Sequence, residues 1–404
     1  MRAADKEEPV ELPGLYAVYA TAFFSLSLVP MTSLVVPLWA LSLDITPALI
    51  GIVVASRSVL PLFLSIHGGA MMDRLGTRRL MLIFTASGAL LTLLYPLLPY
   101  VGALIALQAL VGLAQGMGWI GAQTKIARLT RGSATYAARF SFYTSLGTFV
   151  GPLIAGAAWD LFGAWGAFTA IALWGGGLAL ATYGLPAPSA SQPWSRRIYW
   201  RDMLPQVSDY VRAFALMSLP GVALVVVATF LRISAFSVQA SFYPIYLESI
   251  GISGTLIGML IGFTSFIGSP AALLTGPAAK MVRPHWLLLG SIAVGVVAIC
   301  ITPLLQSFIT LLIAAGIFGL GLGMGLPLLL SILSDASGER DQGISVGLRT
   351  TANRLASIVI PILMGFVIEV AGIGYGFFAV GAVLLAVLGA TAWVVRRSPA
   401  FGRV

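Results

Sequence analysis

The sequence predicts an all-α membrane protein: twelve transmembrane helices in two pseudo-symmetric six-helix bundles. Three observations carry this expectation. Of 404 residues, 58% are hydrophobic and only 9% charged, against about 25% charged in a soluble domain. Twelve apolar runs, each long enough to cross a bilayer, can be cut out between charges and turn residues. The first six runs can be laid over the last six. A chain this poor in polar surface does not fold alone in water.

The runs fall near 15–40, 47–71, 80–98, 101–124, 137–159 and 163–184, then near 219–247, 254–279, 285–304, 308–332, 346–370 and 375–395. At about 20–25 residues per helix, twelve spans need about 240–300 residues, leaving ample chain for short loops. The expected organisation is an N-terminal bundle over 1–184, a cytoplasmic linker over 185–218 and a C-terminal bundle over 219–404. The linker begins rich in Pro and Ser, then turns basic and aromatic with Trp194, Arg196, Arg197, Tyr199, Trp200 and Arg201. That composition suits a segment lying on anionic lipid headgroups.

Lysine and arginine set the expected orientation. With the N-terminus in the cytoplasm, the inside loops hold Arg74, Arg78, Arg79, Lys125, Arg128, Arg131, Arg196, Arg197, Arg201, Lys280, Arg283 and Arg340. The outside loops hold no basic residue but carry Asp44, Asp160 and Glu248. The asymmetry follows the positive-inside rule, so the net charge of +9 reflects topology and not nucleic-acid binding. The expected setting is a bacterial inner membrane, with both termini cytoplasmic and the protein a monomer. The N-terminus lacks a signal-peptide pattern. A single cysteine, Cys300, and two separated histidines leave no basis for a disulfide framework, a metal site or a cofactor.

The repeat has a register. An offset of 207 residues puts Pro37 on Pro244, Leu49-Ile50-Gly51 on Leu256-Ile257-Gly258, and Gly69 on Gly276. With an offset of 209, Pro152 falls on Pro361, Gly156 on Gly365, Asp160 on Glu369, Gly163 on Gly372 and Phe168 on Phe377. Parallel six-span repeats with a site between them are a transporter architecture.

Two motifs stand out. The loop after span two reads Gly69-x-x-x-Asp73-Arg74-x-Gly76-x-Arg78-Arg79, and span five contains Gly147-x-x-x-Gly151-Pro152-x-x-x-Gly156. Together with twelve spans and a repeat, they make the whole chain resemble the major facilitator superfamily. The first is similar to that family's signature loop; the second is similar to the fifth-span motif of its antiporters. The resemblance implies alternating access by a rocker switch, with export or exchange as the direction. It also implies that Asp73 lies against the start of span eleven, a position the helix dipole favours. Arg349 is its expected ionic partner in a cytoplasmic latch. In the second half, the matching loop has Gly276, Lys280 and Arg283 and no carboxylate. The drug–proton antiporters of the family carry an arginine three residues before Gln-Gly in span four; here Gln115-Gly116 is preceded at that position by Gly112.

An ionisable residue inside a bilayer costs about 2.5–3.5 kcal/mol on insertion scales and is a functional candidate by default. Arg57 in span two and Arg232 in span seven fall near the midplane, one in each half; their repeat counterparts are Thr264 and Ser25. Arg354 in span eleven stands opposite Ser145. No Asp or Glu occupies the middle of a span. Buried arginines without carboxylates want an anion, and the guanidinium fork matches carboxylate or phosphate. Helical spacing puts Arg232, Phe236, Gln239 and Tyr243 on one face of span seven, and Gln108, Gly112, Gln115 and Trp119 on one face of span four. In the family, spans one, four, seven and ten border the central cavity. These faces suit a small amphipathic organic anion. His67 titrates in the physiological range and is a proton-coupling candidate.

No nucleotide-binding loop or nucleophilic catalytic set is present, so neither an enzyme nor an ATP-driven pump is expected. The expectation is a secondary transporter of a small organic anion. The alternatives are a multidrug–proton antiporter and a transporter-like sensor.

Overall fold

The computed structural model of the chain describes residues 12–64, 71–72, 76–129, 134–186 and 215–401. All regular structure among the described residues is helical. Backbone groups facing hydrocarbon must find partners within their own segment, and helices meet that demand.

Span one is two helices, Leu12–Ser25 and Leu28–Ser42. At the break, the Ser27 hydroxyl donates to the carbonyls of Phe23 and Phe24 and accepts from Trp174 Nε1 at 2.8 Å. Span two begins with Pro47–Ser56, span three is Thr77–Thr92 and span four Val101–Leu129. Spans five and six share the stretch Ala134–Tyr183, turned at Gly163, whose φ of 62° lies in the left-handed region. Span seven is again divided, into Pro220–Ser241 and Tyr243–Ser249. The division falls just before Pro244, which lacks the N–H needed to continue the ladder. Span eight is Gly254–Met281 and span nine Pro284–Cys300. Spans ten and eleven occupy Phe308–Ser337 and Ser345–Ala371 within one helical stretch, and span twelve is Ile373–Arg397. Prolines at the first turns of spans two, seven and nine stand where a missing N–H costs no helical bond.

The repeat read from the sequence recurs as a repeat of contacts. A Cβ on Gly51 of span two would overlap the carbonyl of Pro361 in span eleven, and one on Gly258 of span eight would overlap the carbonyl of Pro152 in span five. Likewise Gly365 packs on Pro47, and Gly156 on Gly254. Two antiparallel seams therefore join the halves: span two against span eleven, and span five against span eight. Each seam is capped at the same end of the molecule. Asp160 accepts from the backbone N–H groups of Gly254 and Thr255, at 2.7 and 2.8 Å, and from the Thr255 hydroxyl at 2.6 Å. Glu369 accepts from the N–H of Ala48, the repeat counterpart of Thr255, at 2.9 Å.

Candidate functional site

Arg57 lies in span two, about two turns beyond Gly51. It is half-buried. Its guanidinium donates through Nη1 to the Val29 carbonyl at 3.2 Å and to Ser33 Oγ at 3.1 Å, and through Nη2 to Gln115 Oε1 at 2.9 Å. Gln115, 6% exposed, is itself held by a bond from Nε2 to the Leu28 carbonyl at 3.4 Å. Of the five N–H donors of Arg57, three are engaged and two have no partner among the described residues.

Gly112 explains how Arg57 reaches this place. A Cβ there would overlap the Arg57 carbonyl oxygen and lie 2.7 Å from Arg57 Cγ. The span-four position that carries an arginine in the drug–proton relatives is thus given up to an arginine entering from span two. The repeat keeps the contact without the charge: Gly319 of span ten packs on the carbonyl of Thr264.

Arg232 occupies the other half. Its Nε and Nη2 both donate to the Leu322 carbonyl in span ten, at 3.1 and 3.0 Å. It too lies against a glycine, since a Cβ on Gly325 would be 2.8 Å from Arg232 Cδ. Three of its donors have no partner among the described residues.

Two further arginines join these. They are Arg349 and Arg354 of span eleven. Arg349 and Arg354 each keep a buried Nε without a hydrogen-bond partner among the described residues. No ion pair engages any of the four among those residues. Arg57 thus lies in the N-terminal half, and Arg232, Arg349 and Arg354 lie in the C-terminal half.

The structure does not gather the other candidates around it. Gln239 donates to Thr264 Oγ1 at 2.9 Å, and with Tyr243 lies in the packed interior of the C-terminal bundle, next to Thr302 and Phe318. Gln108 is buried and accepts from the Tyr95 hydroxyl at 3.0 Å. Trp119 packs on Phe140, with ring centroids 6.0 Å apart. In span five, a Cβ on Gly147 would overlap the Phe23 carbonyl, and Gly151 lies against Ser27 and Met31. Gly147 and Gly151 thus seat span five on span one, while Pro152 and Gly156 meet span eight.

Of the signature loop, His67, Gly69, Asp73 and Arg74 lie outside the described residues. Gly76, with φ of 86°, opens span three. Arg78 donates to the Tyr183 carbonyl and stands over its ring, 5.2 Å from the centroid, while Arg79 is exposed. Sequence reasoning did not find Ser33 or Tyr95 beside Arg57 and Gln108; a lone hydroxyl in an apolar helix carries no signal of its own. Nor did it find the Ser145–Ser269 bond, 2.5 Å long, which joins spans five and eight.

The profile of the Major Facilitator Superfamily matches residues 15–226 and again 225–403, one match for each half. The chain belongs to the major facilitator superfamily. No curated protein matches the sequence. Among solved structures, a mutant of the nucleoside transporter NupG aligns with a TM-score of 0.78 at 14% identity, over 94% of this chain and 99% of that one. A bacterial homologue of the human lysosomal transporter Spinster, inward-facing and unoccupied, gives 0.74 at 13% identity, over 96% and 98%. The human organic anion transporter MFSD10 (TETRAN) gives 0.61 at 17% identity, over 95% and 100%. At these identities the likeness shows the major facilitator fold and carries no information on substrate. Within that fold, this member of the superfamily carries Arg57 in span two, Arg232 in span seven, and Arg349 and Arg354 in span eleven.

Proposed function

We propose that this major facilitator carries a small organic anion by rocker-switch alternating access, as an exporter or exchanger. The observation that carries the reading is that each half holds one arginine within its spans, Arg57 and Arg232, each lying against a glycine and neither neutralised by a described carboxylate. Burying an unpaired guanidinium is costly, and a substrate carboxylate, phosphate or sulfonate relieves that cost in both halves at once.

The capped seams form the gate at the end assigned to the outside by the charge asymmetry, and the loop from Gly69 to Arg79 forms the cytoplasmic one, with Asp73 as its latch. His67 is the candidate for proton coupling. The fifth-span motif favours export or exchange. A multidrug–proton antiporter is the second reading, also supported by that motif. Against it stands Gly112, whose place beside Arg57 leaves no room for the span-four arginine.

Thermal stabilisation of the purified protein by a panel of anionic, neutral and cationic organic solutes tests the proposal. A ligand at 100 times its Kd adds about 2.7 kcal/mol. The expected result is stabilisation by anions alone, lost in Arg232→Ala. Stabilisation by lipophilic cations, unchanged in that variant, overturns the reading.

A further inference from the structure

Spans nine and twelve pack together in the C-terminal bundle, where a Cβ on Gly381 would lie 2.7 Å from Cys300 Cβ and Sγ. At the end of the molecule away from the capped seams, the two spans are tied a second time. Beyond span twelve the chain turns through Pro399–Phe401 and brings Phe401 to the start of span nine. Arg283 Nη1 donates to the Phe401 carbonyl at 3.2 Å, and the Phe401 and His285 rings lie 5.3 Å apart. Four residues reach at most about 14 Å, so Arg397 and its neighbour Arg396 are kept close to Arg283.

Three guanidinium groups are thereby gathered at one corner. Neither the segment 280–304 nor the chain beyond Glu369 contains an Asp or Glu. A basic last turn complements the dipole of span twelve, but Arg283 stands at the opposite pole, the start of span nine, where a cation is disfavoured. The corner is also aromatic and bare. Trp393 is 55% exposed, with Arg397 over its ring at 4.3 Å from the centroid, and Trp286 is 36% exposed. Each tryptophan lies within about a turn of its helix end, the depth at which such rings meet bilayer headgroups. Further along, Val294 of span nine and Val383 and Val387 of span twelve are exposed. Cations at the rim, tryptophans next and bare aliphatic surface beyond match a phospholipid from headgroup to acyl chain.

We propose that this corner binds an acidic phospholipid. Arg283, Arg396 and Arg397 hold its phosphate, Trp286 and Trp393 flank its glycerol, and its acyl chains run along spans nine and twelve. The guanidinium fork matches phosphate oxygens, and basic corners between membrane helices suit such headgroups. The site is separate from Arg57 and Arg232 and does not depend on what the protein carries.

The test uses the full chain purified in an uncharged detergent. Phosphatidylglycerol, phosphatidylcholine and soluble glycerol phosphate are each titrated in, and thermal unfolding is followed. Phosphatidylglycerol is expected to half-saturate at least about tenfold lower than phosphatidylcholine. Replacing both Arg396→Gln and Arg397→Gln should erase that preference. Replacing both by Lys, which keeps the charge, should retain most of it and guards against a variant that fails to fold. Arg139→Gln is the matched control, since Arg139 is also exposed and stands over an aromatic ring, Tyr136 at 5.8 Å, but in the other half. It should keep the full preference. Equal saturation by the two lipids overturns the site. So does a preference that survives the double Gln variant, or one lost equally in Arg139→Gln, because surface charge anywhere would then suffice. Glycerol phosphate acting as well as phosphatidylglycerol overturns the lipid in favour of a soluble phosphate.

Discussion

Asp160 and Glu369, equivalent under the internal repeat, each cap the first turn of a helix in the opposite half. Asp160 of span five holds the start of span eight, and Glu369 of span eleven holds the start of span two. The first N–H groups of a helix have no partner within it, and a carboxylate there satisfies them and complements the dipole. Both contacts cross between the halves at one end of the molecule, so they close that end.

The two caps are unequal, and the inequality is measurable. Asp160 accepts three hydrogen bonds and Glu369 one. Loss of a cap costs about 0.5–2 kcal/mol. Asp160→Ala is therefore expected to destabilise more than Glu369→Ala, as read by thermal unfolding. In a Cys300→Ala background, a cysteine placed at Ser253 should react faster with a polar thiol reagent when Asp160 is removed. Unchanged reactivity would show that the cap is not part of a gate.

Gly112→Ala is expected to push on the Arg57 backbone, because its methyl would overlap that carbonyl. Overpacking of this kind costs about 1–3 kcal/mol. Thermal unfolding should fall accordingly, and the response to anions should weaken with it. A variant of wild-type stability and response would remove Gly112 from the site.

Gln115→Glu supplies Arg57 with a built-in counter-charge. Gln115 Oε1 already accepts from Arg57 Nη2 at 2.9 Å, so a carboxylate at that place becomes its partner without moving. The half-saturating concentration of an anionic ligand should rise at least about tenfold, equivalent to about 1.4 kcal/mol, with the melting temperature held or raised. Titration of the thermal shift against anion concentration reads both.

Ser27→Ala removes the acceptor of the Trp174 indole and both of its own bonds at the interruption in span one. Trp174 is 8% exposed, so its N–H would be left buried without a partner. The expected loss is about 1–3 kcal/mol in thermal unfolding. Ser27→Thr, which keeps the hydroxyl, should recover part of it.

Much of this was legible in the sequence because membrane helices leave coarse signals. Apolar runs placed the spans within a few residues, and the offsets of 207 and 209 aligned Gly51 with Gly258 and Asp160 with Glu369 before any contact was known. Arg57 and Arg232 announced themselves by charge alone. Partners were harder. Gln239 and Tyr243 share a helical face with Arg232, but a face is broad, and neighbouring helices decide which part of it meets a cavity; both face the inside of the C-terminal bundle. Gln108 and Trp119 differ from Gln115 for the same reason. Gly112 reads in the sequence as a missing arginine. Its meaning lies in span two, where the backbone that occupies its space also bears Arg57.

The two seams began as copies of one another and have since parted company. Where one carries Thr264 and Ser145, the other carries Arg57 and Arg354. The first is neutral and closes on itself, with Ser145 bonded to Ser269 across the helices. The second carries arginines where the first has hydroxyls. A molecule built of two like halves is thereby uneven from side to side, uncharged along the middle of one seam and basic along the other.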